Sequence, residues 1–133
     1  MRYFKDFYLY LKNNLVDPKN RGKDWVFSAT PTYFFKEELD YTLPTVVVQY
    51  LGQTYKPNTF KSKRVKVRFQ VDIYADSMKN LDDVGEQVEN LINQYSTSRL
   101  VDLNISSSDY DIIIFKNKQV HRRTYIAEGV DFR

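Results

Sequence analysis

With 133 residues, the chain is long enough to bury one sizeable hydrophobic core without help from a metal or disulfide, so one compact domain is the expectation. The absence of cysteine removes disulfides, thiolate nucleophiles and cysteine zinc sites together. A net charge of +3 is too small to argue for nucleic acid by itself, whereas an aromatic share of 16% tilts the composition toward protein–protein contact.

The start, Met1-Arg2-Tyr3-Phe4-Lys5-Asp6, lacks the apolar block of a signal peptide, and no run approaches a membrane span; a soluble, unsecreted protein without membrane partners is expected. From Arg2 to Leu15, Phe4, Phe7, Tyr8, Leu11 and Leu15 follow helical spacing and predict a helix with one broad apolar stripe. That stripe lacks the dense Lys/Arg border of a membrane-surface helix, which favours ordinary core packing. Pro18 forbids continuation, and Lys19-Asn20-Arg21-Gly22 reads as a turn.

Short strands are predicted at Trp25-Val26-Phe27 and Thr32-Tyr33-Phe34-Phe35, with a polar turn at Glu37-Glu38-Leu39-Asp40. Thr45 to Leu51 is β-branched and continuous enough for an interior strand. Gly52 to Ser62 has no clear period and reads as a long connection or a projecting hairpin arm. Tyr55 and Phe60 lie there beside Lys56, Lys61 and Lys63, an aromatic–basic set suited to partner contact, with folding back onto the domain as the alternative.

Lys63 to Ala75 organises the rest. Val65, Val67, Phe69, Val71, Ile73 and Ala75 alternate with Arg64, Lys66, Arg68, Gln70 and Asp72, so a strand here has one greasy and one charged face. The pattern predicts a sheet covered on one side. Asn80 is the predicted N-cap of a helix in which Leu81, Val84, Val88, Leu91, Ile92 and Tyr95 form the buried face. Gly85 weakens that helix by roughly 1 kcal/mol relative to Ala, which a close approach to the sheet or a neighbouring subunit would explain.

Ser96-Thr97-Ser98 is expected to end the helix, Val101 to Ile105 to form a short strand, and Ser106-Ser107-Ser108 to loop. Tyr110 to Phe115 and Val120 to Ala127 then predict a hairpin turning at Lys116-Asn117-Lys118-Gln119, with the tail extending the last strand after a bulge at Gly129.

Reaction chemistry is hard to find. The single His, His121, has two arginines after it and no visible nucleophile or orienting carboxylate. The acidic runs lack calcium-loop spacing, and the four glycines never form a phosphate-cradling motif. No catalytic residue, metal site or cofactor is expected, and the chain is not expected to be an enzyme. Arg64, Lys66 and Arg68 share a strand face about 6.6 Å apart, a spacing that could track phosphates, but a one-sided sheet needs a charged outer face anyway.

Phe69-Gln70-Val71-Asp72-Ile73-Tyr74-Ala75 leading into Leu81-Asp82-Asp83-Val84-Gly85-Glu86-Gln87-Val88-Glu89-Asn90-Leu91-Ile92 resembles the tail terminator, or tail completion and head–tail joining, proteins of tailed bacteriophages. The ending Arg122-Arg123-Thr124-Tyr125-Ile126 through Val130-Asp131-Phe132-Arg133 is similar to that family's last strand. The likeness covers most of the chain in order and size, through loose apolar patterns. It implies a non-enzymatic virion subunit that forms a ring, usually a hexamer, on the tail tube, contacts the tube protein and the head-completion connector, and lets DNA pass without specific recognition. The host cytoplasm during assembly, and then the tail or neck of the virion, would be its location.

Expected, therefore, is an α+β fold in one domain over 1–133: a mostly antiparallel sheet, one helix packed on a face and an N-terminal helix alongside. Candidate subunit or tube contacts are Tyr55, Phe60, Lys61, Lys63, Arg64, Lys66 and Arg68. Two other readings are a small nucleic-acid-binding module using the basic face of the 63–75 strand and a cellular protein-interaction adaptor.

Overall fold

The computed structural model describes residues 2–28, 43–57, 63–95, 100–115 and 117–132. The N-terminal stripe folds as α1 (Arg2–Asn14). Phe7 and Leu11 are fully buried, and the Phe7 ring stacks on Phe69 with centroids 4.4 Å apart. Beyond Pro18 the turn is held by Asp17, whose carboxylate accepts hydrogen bonds from the backbone N–H groups of Lys19 and Arg21 and from the Arg21 guanidinium. Arg21 also donates to the Pro44 carbonyl, tying this turn to the strand that follows.

Five strands form one sheet: β1 (Val26–Ser28), β2 (Thr45–Pro57), β3 (Lys63–Ala75), β4 (Leu100–Phe115) and β5 (Lys118–Phe132). Their spatial order is β1-β2-β3-β5-β4, with β1 parallel to β2 and every other pair antiparallel. Helix α2 (Met78–Gln94) links β3 to β4 and lies on the same face as α1. Val65, Val67, Phe69, Val71, Ile73 and Ala75 are all fully buried beneath the two helices, as their alternation requires. The fold is thus α+β, a mostly antiparallel sheet with α2 on one face and α1 beside it; Tyr10 Oη donates to the Leu91 carbonyl across the helix pair.

Several local expectations change. The cap of α2 is Ser77, not Asn80: its backbone is extended and its Oγ accepts from Asn80 N–H at 3.2 Å, so the helix starts three residues earlier. Of the 52–62 connection, 52–57 is strand, because β2 continues to Pro57, which pairs with Lys63 of β3; 58–62 lies outside the described residues. Leu51 is accommodated as an extra residue between Tyr50 and Gly52, and the positive φ of Gly52 (108°) permits that bulge. Ser106-Ser107-Ser108 is no loop; it belongs to a continuous β4, whose register slips at Ile105/Ser107. The bulge expected at Gly129 instead sits opposite it, between Val101 and Asn104 of β4. A Cβ on Gly129 would stand 3.1 Å from the Cδ1 atoms of Leu100 and Leu103, so the missing side chain leaves room for the leucines of the bulged strand. The predicted Thr32–Phe35 strand, the Glu37–Asp40 turn and the Ser96–Ser98 helix end lie outside the described residues.

The expectation of a sheet covered on one side holds for only part of its length. At the Ala75 end, Val47, Tyr74 and Val120 form a second buried cluster on the face away from the helices, packed by Leu43 and Ile113. Asp72 and Gln49 on that face are 3% and 9% exposed.

Candidate interaction surfaces

The far face of the sheet carries a ladder of polar side chains from β2, β3 and β5. Strand alternation places Lys66, Arg68, Gln70, Asp72 and Tyr74 along it, and register brings them opposite Val130, Glu128, Ile126, Thr124 and Arg122. Of the expected contact residues, Lys66 and Arg68 are half-exposed and converge on one carboxylate. Lys66 Nζ is 2.9 Å from Glu128 Oε2, and Arg68 Nε is 3.2 Å from Oε1. The two cations are therefore partly neutralised from β5, and a bare phosphate-tracking row is not what the fold presents here. Tyr55, Lys63 and Arg64 lie on the paired ends of β2 and β3. Phe60 and Lys61 lie outside the described residues.

Further along the ladder, Asp72 is a buried carboxylate with three side-chain donors. Thr124 Oγ1 donates at 2.6 Å, Gln70 Nε2 at 3.0 Å and Gln49 Nε2 at 3.2 Å. Burial nonetheless outweighs these bonds and pushes its carboxyl above the usual range. Beside it, burial and the Asp72 charge push the Tyr74 hydroxyl up to about 12. Arg122 forms a two-pronged pair with Asp111 of β4, which raises the guanidinium further and holds Asp111 below the ordinary carboxylate range. The ladder is a solvent-shielded hydrogen-bond network at one end and an exposed ion-pair cluster at the other.

A second surface lies on the helix side of β4. Tyr110, Ile112 and Ile114 pair with Arg123, His121 and Gln119, and Arg123 approaches Gly85 of α2, which fixes the face they occupy. These three apolar side chains are 44%, 49% and 73% exposed. In the sequence, Tyr110 to Phe115 was legible as a strand of the last hairpin, with no face assigned to it. The helices stop short of it, so a stripe patterned for burial stands open on an edge strand. His121 lies on β5, between β3 and β4, with its Nδ1 2.7 Å from the Tyr110 hydroxyl. Among the described residues no group of three His, Cys, Asp or Glu side chains is placed to hold a metal.

Helix α2 borders this stripe with its acidic side. Asp82, Glu86 and Glu89 are exposed on that side, Asp83 is exposed beside Gln87 on the side toward Val16, and Lys79 is the one basic residue of the helix. Asp82 makes a long, 3.5 Å ion pair with Arg123 and stays largely open to solvent.

No family model and no curated protein sequence matches the chain. Among solved structures, a chain from the virion of a native gene transfer agent particle has a similar fold, with a TM-score of 0.58 at 13% identity. The likeness takes in 93% of this chain and 90% of that one. At that identity it is a likeness of fold.

Proposed function

We propose that the chain is a structural virion subunit of the phage type, a tail terminator or head–tail joining protein that closes into a ring. The observation that carries this reading is the near end-to-end fold likeness to a chain of a gene transfer agent virion, with 93% and 90% of the two chains superposed. The sequence resemblance to phage tail terminators points the same way. The surfaces suit such a role: an apolar stripe on an edge strand beside an acidic helix is an assembly feature.

A ring follows when a head-to-tail contact rotates each subunit by a closing angle. In this reading the ring sits on the head-proximal end of the tail tube, stops its growth and offers its other side to the head connector. Six copies would match the usual ring of the family. The nucleic-acid reading loses its main support, because Glu128 engages two of its three proposed phosphate contacts.

Negative-stain imaging of the purified protein, alone and added to growing tail tubes, tests the proposal. Rings and tubes of arrested length are expected. A protein that forms no ring and leaves tube growth unchanged overturns it.

A further inference from the structure

Strand β4 is one edge of the sheet, and among the described residues the other edge is β1, only three residues long. From Ser107 to Phe115 the pairing of β4 with β5 runs unbroken, so the opposite side of this stretch presents a regular row of backbone N–H and C=O groups. Natural edges are blunted by lysine, proline, bulges or an overlying element. This one carries no Lys, Arg or Pro from Leu100 to Phe115, and its two register shifts lie before Ser107. The side chains from Ser106 to Ile112 are exposed on both faces.

The two faces of this edge differ in chemistry. Tyr110, Ile112 and Ile114 stand open on the helix face, whereas Asp109 and Asp111 belong to the far face, opposite Thr124 and Arg122 of β5. Arg122 holds Asp111, and Asp109 is exposed. On the helix side, Asp82, Glu86 and Glu89 follow one flank of α2 over about 10 Å, at 1.5 Å per residue. Arg123 reaches only the first of them, at 3.5 Å, and Glu86 and Glu89 are exposed. Lys79, in the first turn, is the one cation on the helix. The open edge is therefore apolar at its centre and acidic on both sides.

We infer that the outer edge of β4 takes an extended segment of another protein as a sixth strand, one that alternates apolar with cationic side chains. Backbone pairing with the free row supplies the attachment, and the period of two supplies the selection. Every second residue of the added strand falls beside Tyr110, Ile112 and Ile114, where β-branched side chains cover the stripe. The residues between them fall beside Asp109 on the far face, which favours lysine or arginine. The acidic flank of α2 adds to this preference for positive charge. A second copy of this chain is a poor occupant. Its one long edge among the described residues is its own β4, and pairing two copies brings like carboxylates together. One subunit carries the whole surface, so the inference goes beyond the ring reading and does not depend on it.

Binding of capped synthetic peptides to the full-length protein tests this, read by fluorescence anisotropy at low and high salt and by amide hydrogen exchange. The probe alternates lysine with isoleucine over a length that spans Ser107 to Phe115. Its counterparts carry glutamate in place of lysine, or a methyl group on every backbone nitrogen. The lysine peptide is expected to bind at least tenfold more tightly than either, and less tightly as salt rises. It should also slow exchange at alternate amides between Ser107 and Phe115. Asp109→Lys combined with Glu86→Lys and Glu89→Lys, all at exposed positions, should weaken binding at least tenfold. Ile114→Asp, at a side chain 73% exposed, should do the same, with circular dichroism verifying the fold of each variant. No binding, equal binding of the lysine and glutamate peptides, or tight binding of the methylated one overturns the inference. So does binding that leaves the β4 amides unprotected or ignores the substitutions. Protection of the same amides in the protein alone, lost on dilution, would give the edge to a second copy and overturn it too. None of these results bears on ring formation, which imaging decides separately.

Discussion

The hydroxyl of Tyr125 lies 3.0 Å from the point where Gly85 would carry a Cβ, and the Arg123 guanidinium lies 3.2 Å from it. Helix α2 therefore rests on β5 at its one residue without a side chain, and the glycine that looked like a flaw in a helix is the condition for close packing. Burial in this seam pushes the Tyr125 hydroxyl above its ordinary pKa.

Gly85→Ala should accordingly destabilise the fold. Helix propensity favours Ala by about 1 kcal/mol, but forcing a methyl into a filled seam costs about 1–3 kcal/mol. A net loss of about 1 kcal/mol is expected in urea unfolding. Combining it with Tyr125→Phe, which removes the clashing oxygen, should recover much of that loss; a purely additive double variant would show that the seam is not the cause.

Asp72 makes a pH prediction. Its folded carboxyl is raised above the ordinary 3.8, so it contributes stability that is fully present below that value and lost as pH rises through the folded pKa. Asp72→Asn abolishes this titration. The amide can keep its oxygen toward Gln49 and Gln70 while the Thr124 hydroxyl turns to accept from its nitrogen. Relative to the parent, the variant should gain thermal stability from about pH 4 upward, reaching a constant advantage near neutrality. Melting curves that move in parallel at every pH would contradict it.

Asp17 has the opposite sign. Burial raises its carboxyl, but hydrogen bonds from Arg21 and from the backbone of Lys19 and Arg21 outweigh this and hold it below the ordinary value. The stability it contributes is present above pH 3.8 and lost as pH falls through the folded pKa. Asp17→Asn should cost about 1–3 kcal/mol at neutral pH, since it leaves several donors of the turn poorly satisfied. That cost should shrink toward zero in strong acid, as followed by urea titrations between pH 2 and pH 7 (about the range where carboxylates protonate).

The Lys66–Glu128–Arg68 cluster is partly exposed, and side-chain entropy and screening offset most of its Coulomb energy. Glu128→Gln should change unfolding stability by less than about 1 kcal/mol. If the nucleic-acid reading had merit, the same substitution would uncover salt-sensitive DNA or RNA binding by freeing both cations; none is expected in low-salt gel shifts.

Local periodicity carried the sequence reading well where one element faces one neighbour. Val65 to Ala75 alternate because their strand lies beneath two helices, and Phe7, Leu11, Leu81, Val84, Val88 and Ile92 recur at helical spacing because they cover it. Such patterns are written within a dozen residues. The cap at Ser77 was missed because Ser77 and Asn80 are both good caps, and only backbone dihedrals choose between them. The bulge at the end of the sheet was assigned to Gly129 because glycine marks irregular backbone in either of two paired strands, and only their register assigns it to β4.

Composition and alternation by themselves determined an α+β chain with a greasy-faced central strand, since the spacing of apolar residues dictates which local geometry can bury them. What lies opposite each polar residue was decided by tertiary structure alone. Thr124 reaches Asp72 across 52 positions of sequence, Glu128 meets Lys66 and Arg68 through the β3–β5 register, and the stripe at Tyr110, Ile112 and Ile114 is open only because the helices end before it. Pairing between distant strands depends on register, and a one-residue slip would exchange every one of these partners.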